Sequence, residues 1–188
     1  MTAEDAFRAI VHACLRHYRL NEDRLIKDDN AEALHQARVA LRRLRSAFAA
    51  FQPLIEGQTT RKLDADIRWL TGQFALARNI DAVTGHLGDI KWKARLRAKR
   101  KAAYADAHRA IDSTLSRELM LDIVQWASSG KWAGRHKNHK LLGKPAREYA
   151  AQTIGRLHKK LTSQAQAITG PDDERRHKAR KVAKKLRY

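Results

Sequence analysis

Two stretches of the sequence combine a histidine with regularly spaced cations. Residues 34–45 read LHQARVALRRLR and residues 176–187 read RHKARKVAKKLR. At an offset of 142, His35 meets His177, Ala37 meets Ala179 and Arg38 meets Arg180. Further along, Arg42-Arg43 meet Lys184-Lys185, and Leu44-Arg45 meet Leu186-Arg187. Basic helices match one another by chance. A histidine, an alanine and a leucine in register with the cations argue for an internal repeat. The chemistry open to such residues is anion recognition. Arginine's planar fork holds phosphate oxygens in pairs, and lysine adds a mobile point charge. A protonated histidine donates to phosphate, and nearby phosphates raise its pKa.

That chemistry requires the cations to share a face. On a helical wheel with His35 at zero, Arg38 falls at about 300°, Arg42 at about 340° and Arg45 at about 280°. The four form one stripe about 15 Å long. Leu34, Ala37, Leu41, Leu44, Phe48 and Phe51 fill the arc from about 160° to 260°. The cationic stripe therefore adjoins the apolar arc, whereas a purely solvating face would oppose it. Cations beside a core line a groove, where field lines focus and partial desolvation strengthens binding. A thin linear polyanion suits such a row. His177, Arg180, Lys184 and Arg187 repeat the stripe, with Ala179, Ala183 and Leu186 expected on the buried arc.

The elements that must position these residues are helices. Nine Gly and three Pro cluster around Pro53–Gly57, Gly130–Pro145 and Gly170-Pro171. The stretches between are rich in strong helix formers, and β-type alternation is absent. The pattern predicts helices at about 3–20, 31–52, 60–83, 86–110, 113–128, 146–168 and 173–188, hence an all-α fold. Asn30 or Asp29 can cap the second helix, and Gly170-Pro171 followed by Asp172, Asp173 and Glu174 can start the last. Residues 129–145 read as a basic loop. The 188 residues make a single domain, with a first half of about 1–128 and a second half beginning at 146.

Composition narrows the function. Lys+Arg 39 against Asp+Glu 20 gives a net charge of +19, a self-repulsion that a bound anion would relieve. With 43% hydrophobic residues, the chain is too apolar for a disordered basic tail. Residues 1–30 carry a net −1 and residues 31–188 a net +20, so the surplus belongs to the body. The longest uncharged run, Leu161 to Pro171, is 11 residues, too short to cross a bilayer. The acidic Glu4-Asp5 start is unlike a secretory signal, which points to the cytoplasm. The one cysteine, Cys14, excludes an internal disulfide framework.

Other features have plainer readings. His136 and His139 have a spacing compatible with metal but lack further ligands, so no metal is expected. Lys91 to Lys101 includes Trp92, but its cations surround the helix and read as solvated surface. Trp69, Phe74 and Trp126 read as core. Arg78 and Asp81 are spaced for a weak supporting ion pair. Phosphate-cradling glycine loops of the G-x-x-x-x-G-K type, G-x-S-x-G and E-x-E-x-K sets are absent, so the chain reads as a binder with no catalytic residues and no cofactor.

The motif His35-x-x-Arg38-x-x-x-Arg42-Arg43-Leu44-Arg45, its echo at His177, Arg68-Trp69-Leu70 and Arg78-Asn79-Ile80-Asp81 together resemble the CHAD family, the histidine α-helical domains. Arg147 to Leu161 resembles the family's helix before its second histidine motif. The resemblance implies two pseudo-symmetric helical bundles and a basic central groove that binds inorganic polyphosphate. By that resemblance, the binding residues would be His35, Arg38, Arg42, Arg43, Arg45, His177, Arg180, Lys184, Lys185 and Arg187. It also implies a role at polyphosphate granules. Asn79 stands where the family has Asp. The second motif has nothing after it, so the second half reads as incomplete, to be finished by further sequence or another chain. The alternatives are a helical nucleic-acid binder acting by non-specific charge, with Trp92 and Trp132 among cations, and an accessory domain of a polyphosphate-metabolising enzyme.

Overall fold

Asn30 opens the helix that carries the first motif. Its side chain accepts the Ala33 N–H at 2.9 Å, and Glu32 lies in the first turn. Both satisfy the positive helix end. The computed structural model describes residues 1–84, 93–130, 132, 139–168, 170 and 172–187. Among these, the helices run α1 (Ala3–Lys27), α2 (Ala31–Ala50), α3 (Gln52–Ile55), α4 (Gln58–Gln73) and α5 (Ala75–Thr84). They continue as α6 (Lys93–Asp112), α7 (Thr114–Ser129), α8 (His139–Leu142), α9 (Ala146–Gln166) and α10 (Asp173–Arg187). The fold is all-α, as the sequence predicts.

Several boundaries differ from expectation. The first helix continues to Lys27, because its apolar stripe persists through the buried Tyr18 and Leu25. The second ends at Ala50, and Pro53 falls in the separate short α3. The single helix expected over 60–83 is broken at Phe74, which turns fully into the core. Just before the break, the Thr71 hydroxyl donates to the Ile67 carbonyl at 2.7 Å, a back-bond that bends helices. The stretch expected as a basic loop contains α8, and Leu142 and Trp132 are buried. Lys91, Trp92, His136, Pro171 and Tyr188, with the side chains of His139, Lys185 and Arg187, lie outside the described residues.

The core forms where α1 lies along α2 under α4 and α7. Phe7 sits 5.2 Å from Phe51, edge-on to Trp126 at 5.7 Å and edge-on to Trp132 at 5.0 Å. Such pairs add about 0.5–1.5 kcal/mol each beyond the area they bury. Trp132 is therefore core, which removes one reason for expecting base stacking there. Trp126 and Phe74 are buried as expected, and Trp69 packs against the cluster partly exposed. At the end of α7, Gly130 adopts φ 63°. A Cβ there would meet the Arg8 guanidinium at 2.5 Å, and that guanidinium donates to the Ser128 carbonyl at 2.8 Å. Only glycine fits both demands.

Asp81 fixes α5 against α6. Its side chain is 4% exposed. One carboxylate oxygen takes Arg100 Nε at 2.7 Å and the other takes the Tyr104 hydroxyl at 2.6 Å. Arg100 also donates to the Asp29 carbonyl at 2.7 Å, which ties this corner to the start of α2. Arg78 is not the partner of Asp81, contrary to the sequence reading. Asp81 points to α6, whereas Arg78 points to α2.

The α9–α10 pair stands apart. Of the 21 residues of α9, only Tyr149 is buried. It stacks on Phe51 at 5.0 Å and donates to the Ala50 carbonyl at 3.0 Å. Thr2 and Pro145 form an isolated bridge that ties the start of α9 to the start of α1. Replacing Asp81 by Ala removes the acceptor of the Tyr104 hydroxyl and of Arg100 Nε, leaving Arg100 only its bond to the Asp29 carbonyl, so it should cost about 2–3 kcal/mol. Urea unfolding, with an unchanged denaturant slope, measures it.

Candidate functional site

The six residues assigned to the apolar arc of α2 are all buried, and the cations stand beside them. Arg38 is half-buried, and its Nη1 donates to the Thr71 carbonyl at 2.8 Å. That carbonyl lies at the α4–α5 break, so Arg38 caps the C-terminal end of α4. Arg45 Nε donates to Asp64 Oδ1 at 2.8 Å. Contacts at 38–71 and 45–64 make α2 and α4 antiparallel. An open groove of about 740 Å³ runs between them, lined among others by Arg42, Arg45, Thr60, Arg61, Asp64 and Arg68.

His35 closes one end of this row. Its Nδ1 accepts from Arg78 Nε at 3.1 Å, so that nitrogen carries no proton and Nε2 is left as the donor. Burial, then Arg78, Arg42 and Arg38, push the His35 pKa below its ordinary value near 6.5, against an opposing pull from Glu32. Burial and the same neighbours, Arg42 and Arg78, lower Arg38 as well. Four groups from α2 and α5 thus repel one another across a short distance. In the sequence reading, nearby phosphates raise the histidine's pKa. Before any anion arrives, burial first and then the arginines around His35 hold it low.

Not every predicted residue joins this groove. Arg43 lies at about 80° on the wheel of α2, away from the stripe. It is exposed and borders a different cavity, of about 270 Å³, with Ile10, Cys14 and His17 of α1. On α10, His177, Arg180 and Lys184 are exposed. Their helix touches α2 as well as α9. Ala183, expected on the buried arc, is exposed, and Val182 is buried in its place. Lys185 and Arg187 fall on this helix, but their side chains lie outside the described residues.

The structure also brings in residues that the motif did not reveal. Arg61 and Arg68 of α4 line the groove, and Arg78 of α5 meets His35. The Asp64/Arg68 spacing of four was the readable signal, since it places both on one helix face. Among the described residues, no group of three or more His, Cys, Asp or Glu could hold a metal. Nor is any described helix long and apolar enough to cross a membrane.

An all-α protein in which two antiparallel helices present facing arginine rows, closed at one end by a histidine, defines a clear class. The CHAD domain model matches residues 9–188, and the chain belongs to that family, which is linked to polyphosphate binding and generally acts as a binding domain. The crystal structure of the CHAD domain from the plant Ricinus communis is 29% identical, with a TM-score of 0.78 over 100% of this chain. This chain spans 64% of that one. PptA from Streptomyces chartreusis, 17% identical with a TM-score of 0.64, shares the fold over 100% of this chain and 74% of its own. No curated protein matches the chain.

The depressed pKa of His35 has a consequence for stability. Between its folded pKa and 6.5, the unfolded chain holds the proton more often than the folded one. The His35 contribution is therefore complete above pH 6.5 and falls away as pH drops below it. His35→Gln should flatten the pH dependence of the melting temperature in that window, and NMR of the ring should show titration below pH 6.5.

Proposed function

We propose that this protein binds inorganic polyphosphate in the α2–α4 groove and performs no chemistry on it. The observation that carries the reading is a pair of guanidinium clusters that share Arg42: Arg38, Arg42 and Arg78 around His35, and Arg42 and Arg45 of α2 facing Arg61 and Arg68 of α4 across the groove. The row is held in place by the fold before a chain of phosphates arrives. Neutralisation along it releases counterions, which supplies much of the affinity for any linear polyanion. In the unliganded protein His35 still offers Nε2–H. The ligand's negative charge then raises its pKa, so that a proton is taken up on binding.

The motif cations of α10 enter the same reading as a second row. His177, Arg180 and Lys184, with Lys185 and Arg187, stand on a helix that leans on α2, and a chain longer than the first row could continue onto them. Arg43 serves the other side of α2 and contributes only general charge. The cytoplasm, at polyphosphate granules, is the location this reading implies. Nucleic-acid binding is the weaker reading. Trp132 is buried in the core and cannot stack on a base, Trp92 lies outside the described residues, and a duplex cannot follow a groove between two helices.

At equal phosphate concentration and physiological salt, polyphosphate should bind more tightly than single-stranded RNA or duplex DNA. Equal affinity for all three polymers would reduce the groove to non-specific charge. A double variant sharpens the test. Arg38 also caps α4, so Arg42→Gln with Arg78→Gln is the cleaner pair, set against Lys99→Gln with Lys101→Gln on the exposed face of α6. Both pairs remove two charges. A charged hydrogen bond from the half-buried Arg78 is worth about 1.5–3 kcal/mol, against well under about 1 kcal/mol for exposed charges such as Lys99 and Lys101. Titration calorimetry should show the first pair losing at least about tenfold more affinity than the second.

A further inference from the structure

The His35 ring and the Arg78 guanidinium meet across two helices. Arg78 Nε on α5 donates to His35 Nδ1 on α2 at 3.1 Å. That nitrogen has one lone pair in the ring plane. It can receive the Arg78 hydrogen or carry a proton of its own, and never both. A charged His35 would set N–H against N–H, with a positive charge behind each. Ionisation of the ring and its bond to Arg78 therefore exclude one another. The charges acting on the ring are Arg78 from α5 and Glu32, Arg42 and Arg38 from α2 itself. Glu32, exposed in the first turn of α2, is the one that favours the charged ring. Further along α2, Arg45 pairs with Asp64 of α4, and α10, which also touches α2, carries the exposed His177, Arg180 and Lys184. Arg38 is anchored to the Thr71 carbonyl, so Arg78 is the guanidinium that the ring controls.

We propose that Arg78 is a positioning residue for His35 that is handed over to the bound phosphate when the ring takes up a proton. In the free protein Arg78 keeps Nδ1 unprotonated, which makes Nε2–H the group that meets a phosphate. As the phosphate engages, its negative charge favours the imidazolium. A proton from the solvent settles on Nδ1, and the hydrogen bond from Arg78 Nε breaks. The Nε–H then turns to a phosphate oxygen. A bond from a cation to a neutral ring is exchanged for one in which both partners are charged, the stronger kind. Burial and the neighbouring arginines hold the free ring neutral at neutral pH, so the exchange waits for the ligand. The inference rests on the polyphosphate reading and concerns how that site is regulated. Arg78 contributes its full share only where a proton is available, so affinity rises as pH falls.

The test uses the full chain and long-chain polyphosphate, whose internal phosphates do not titrate near neutral pH. Nitrogen NMR of the free protein should show His35 neutral at about pH 8, protonated on Nε2, with a coupling across the hydrogen bond from Arg78 Nε. Saturating polyphosphate should raise the ring's titration midpoint by about one pH unit or more, and the coupling should vanish as the ring becomes charged. Affinity gives the second readout. Arg78→Gln should cost at least about threefold more affinity at about pH 5 than at about pH 8, because only the charged ring frees the guanidinium. On a His35→Gln background that difference should shrink to less than about twofold. His177 and the other histidines titrate in every variant and cancel in the comparison. The NMR measurement needs no variant, so it decides the matter even where a variant folds poorly. A complex in which His35 stays neutral at about pH 5 with the Arg78 coupling intact, or an Arg78→Gln cost that does not grow on acidification, overturns the inference while leaving polyphosphate binding intact. If the wild type binds no long-chain polyphosphate at either pH, the functional reading fails first and takes the inference with it.

Discussion

Crowded guanidinium groups need oxygen, and the supply of oxygen arranges this molecule. Arg38 takes the Thr71 carbonyl, Arg45 takes Asp64, Arg8 takes the Ser128 carbonyl and Arg100 takes Asp81 together with the Asp29 carbonyl. Three of these acceptors are backbone carbonyls at or near the ends of helices, where the chain leaves them without intrahelical partners. The cations thus satisfy helix ends that would otherwise need water, and the helix ends hold the cations in place. The most consequential pairing is Arg38 with Thr71. It locks α2 to the break between α4 and α5, and that break lets α5 bring Arg78 to His35. A straight helix over 60–83 would follow another path past α2.

The elements were legible because their signals are local. The caps at Asn30 and Asp172, the apolar arc of α2 and the Gly130 stop can be read from spacing alone. The break at Phe74 was not legible, since Thr71-Gly72-Gln73-Phe74 contains no proline and only one weak breaker. It arises from a tertiary demand, the burial of Phe74, joined to a hydroxyl back-bond and an arginine from another helix. The site shows the same division. A repeat search reaches the motif row on α2, because the row lies on one helix and is copied on α10. It does not reach Arg61, Arg68 and Arg78, which become neighbours only when α4 and α5 fold back. Trp132 misleads for a related reason. Its sequence neighbours are cations, but its spatial neighbours are Phe7 and Trp126.

The position of Arg43 marks the limit of reading a basic motif as a block. Arg42 and Arg43 are adjacent in sequence and about 100° apart on the helix, so only one of them can belong to the groove. A row of binding residues on a helix is recovered by angle. The same reasoning applied to α10 gives His177, Arg180 and Lys184 one face, although Ala183, in register with the buried Leu41, is exposed, so α10 buries a narrower arc than α2.

The shallow seating of α9 separates the two basic rows in time as well as in space. A helix that buries one tyrosine, held by a stacked ring, a single hydroxyl bond and a terminal bridge, can detach while the Phe7 cluster stays closed. Opening of that kind requires far less free energy than global unfolding. The α2 row is carried on the core beneath it, while the α10 row rests on a helix pair that buries only Tyr149 and Val182 among its described residues. A polymer lying across both would tie the deeply packed wall to the shallowly packed one.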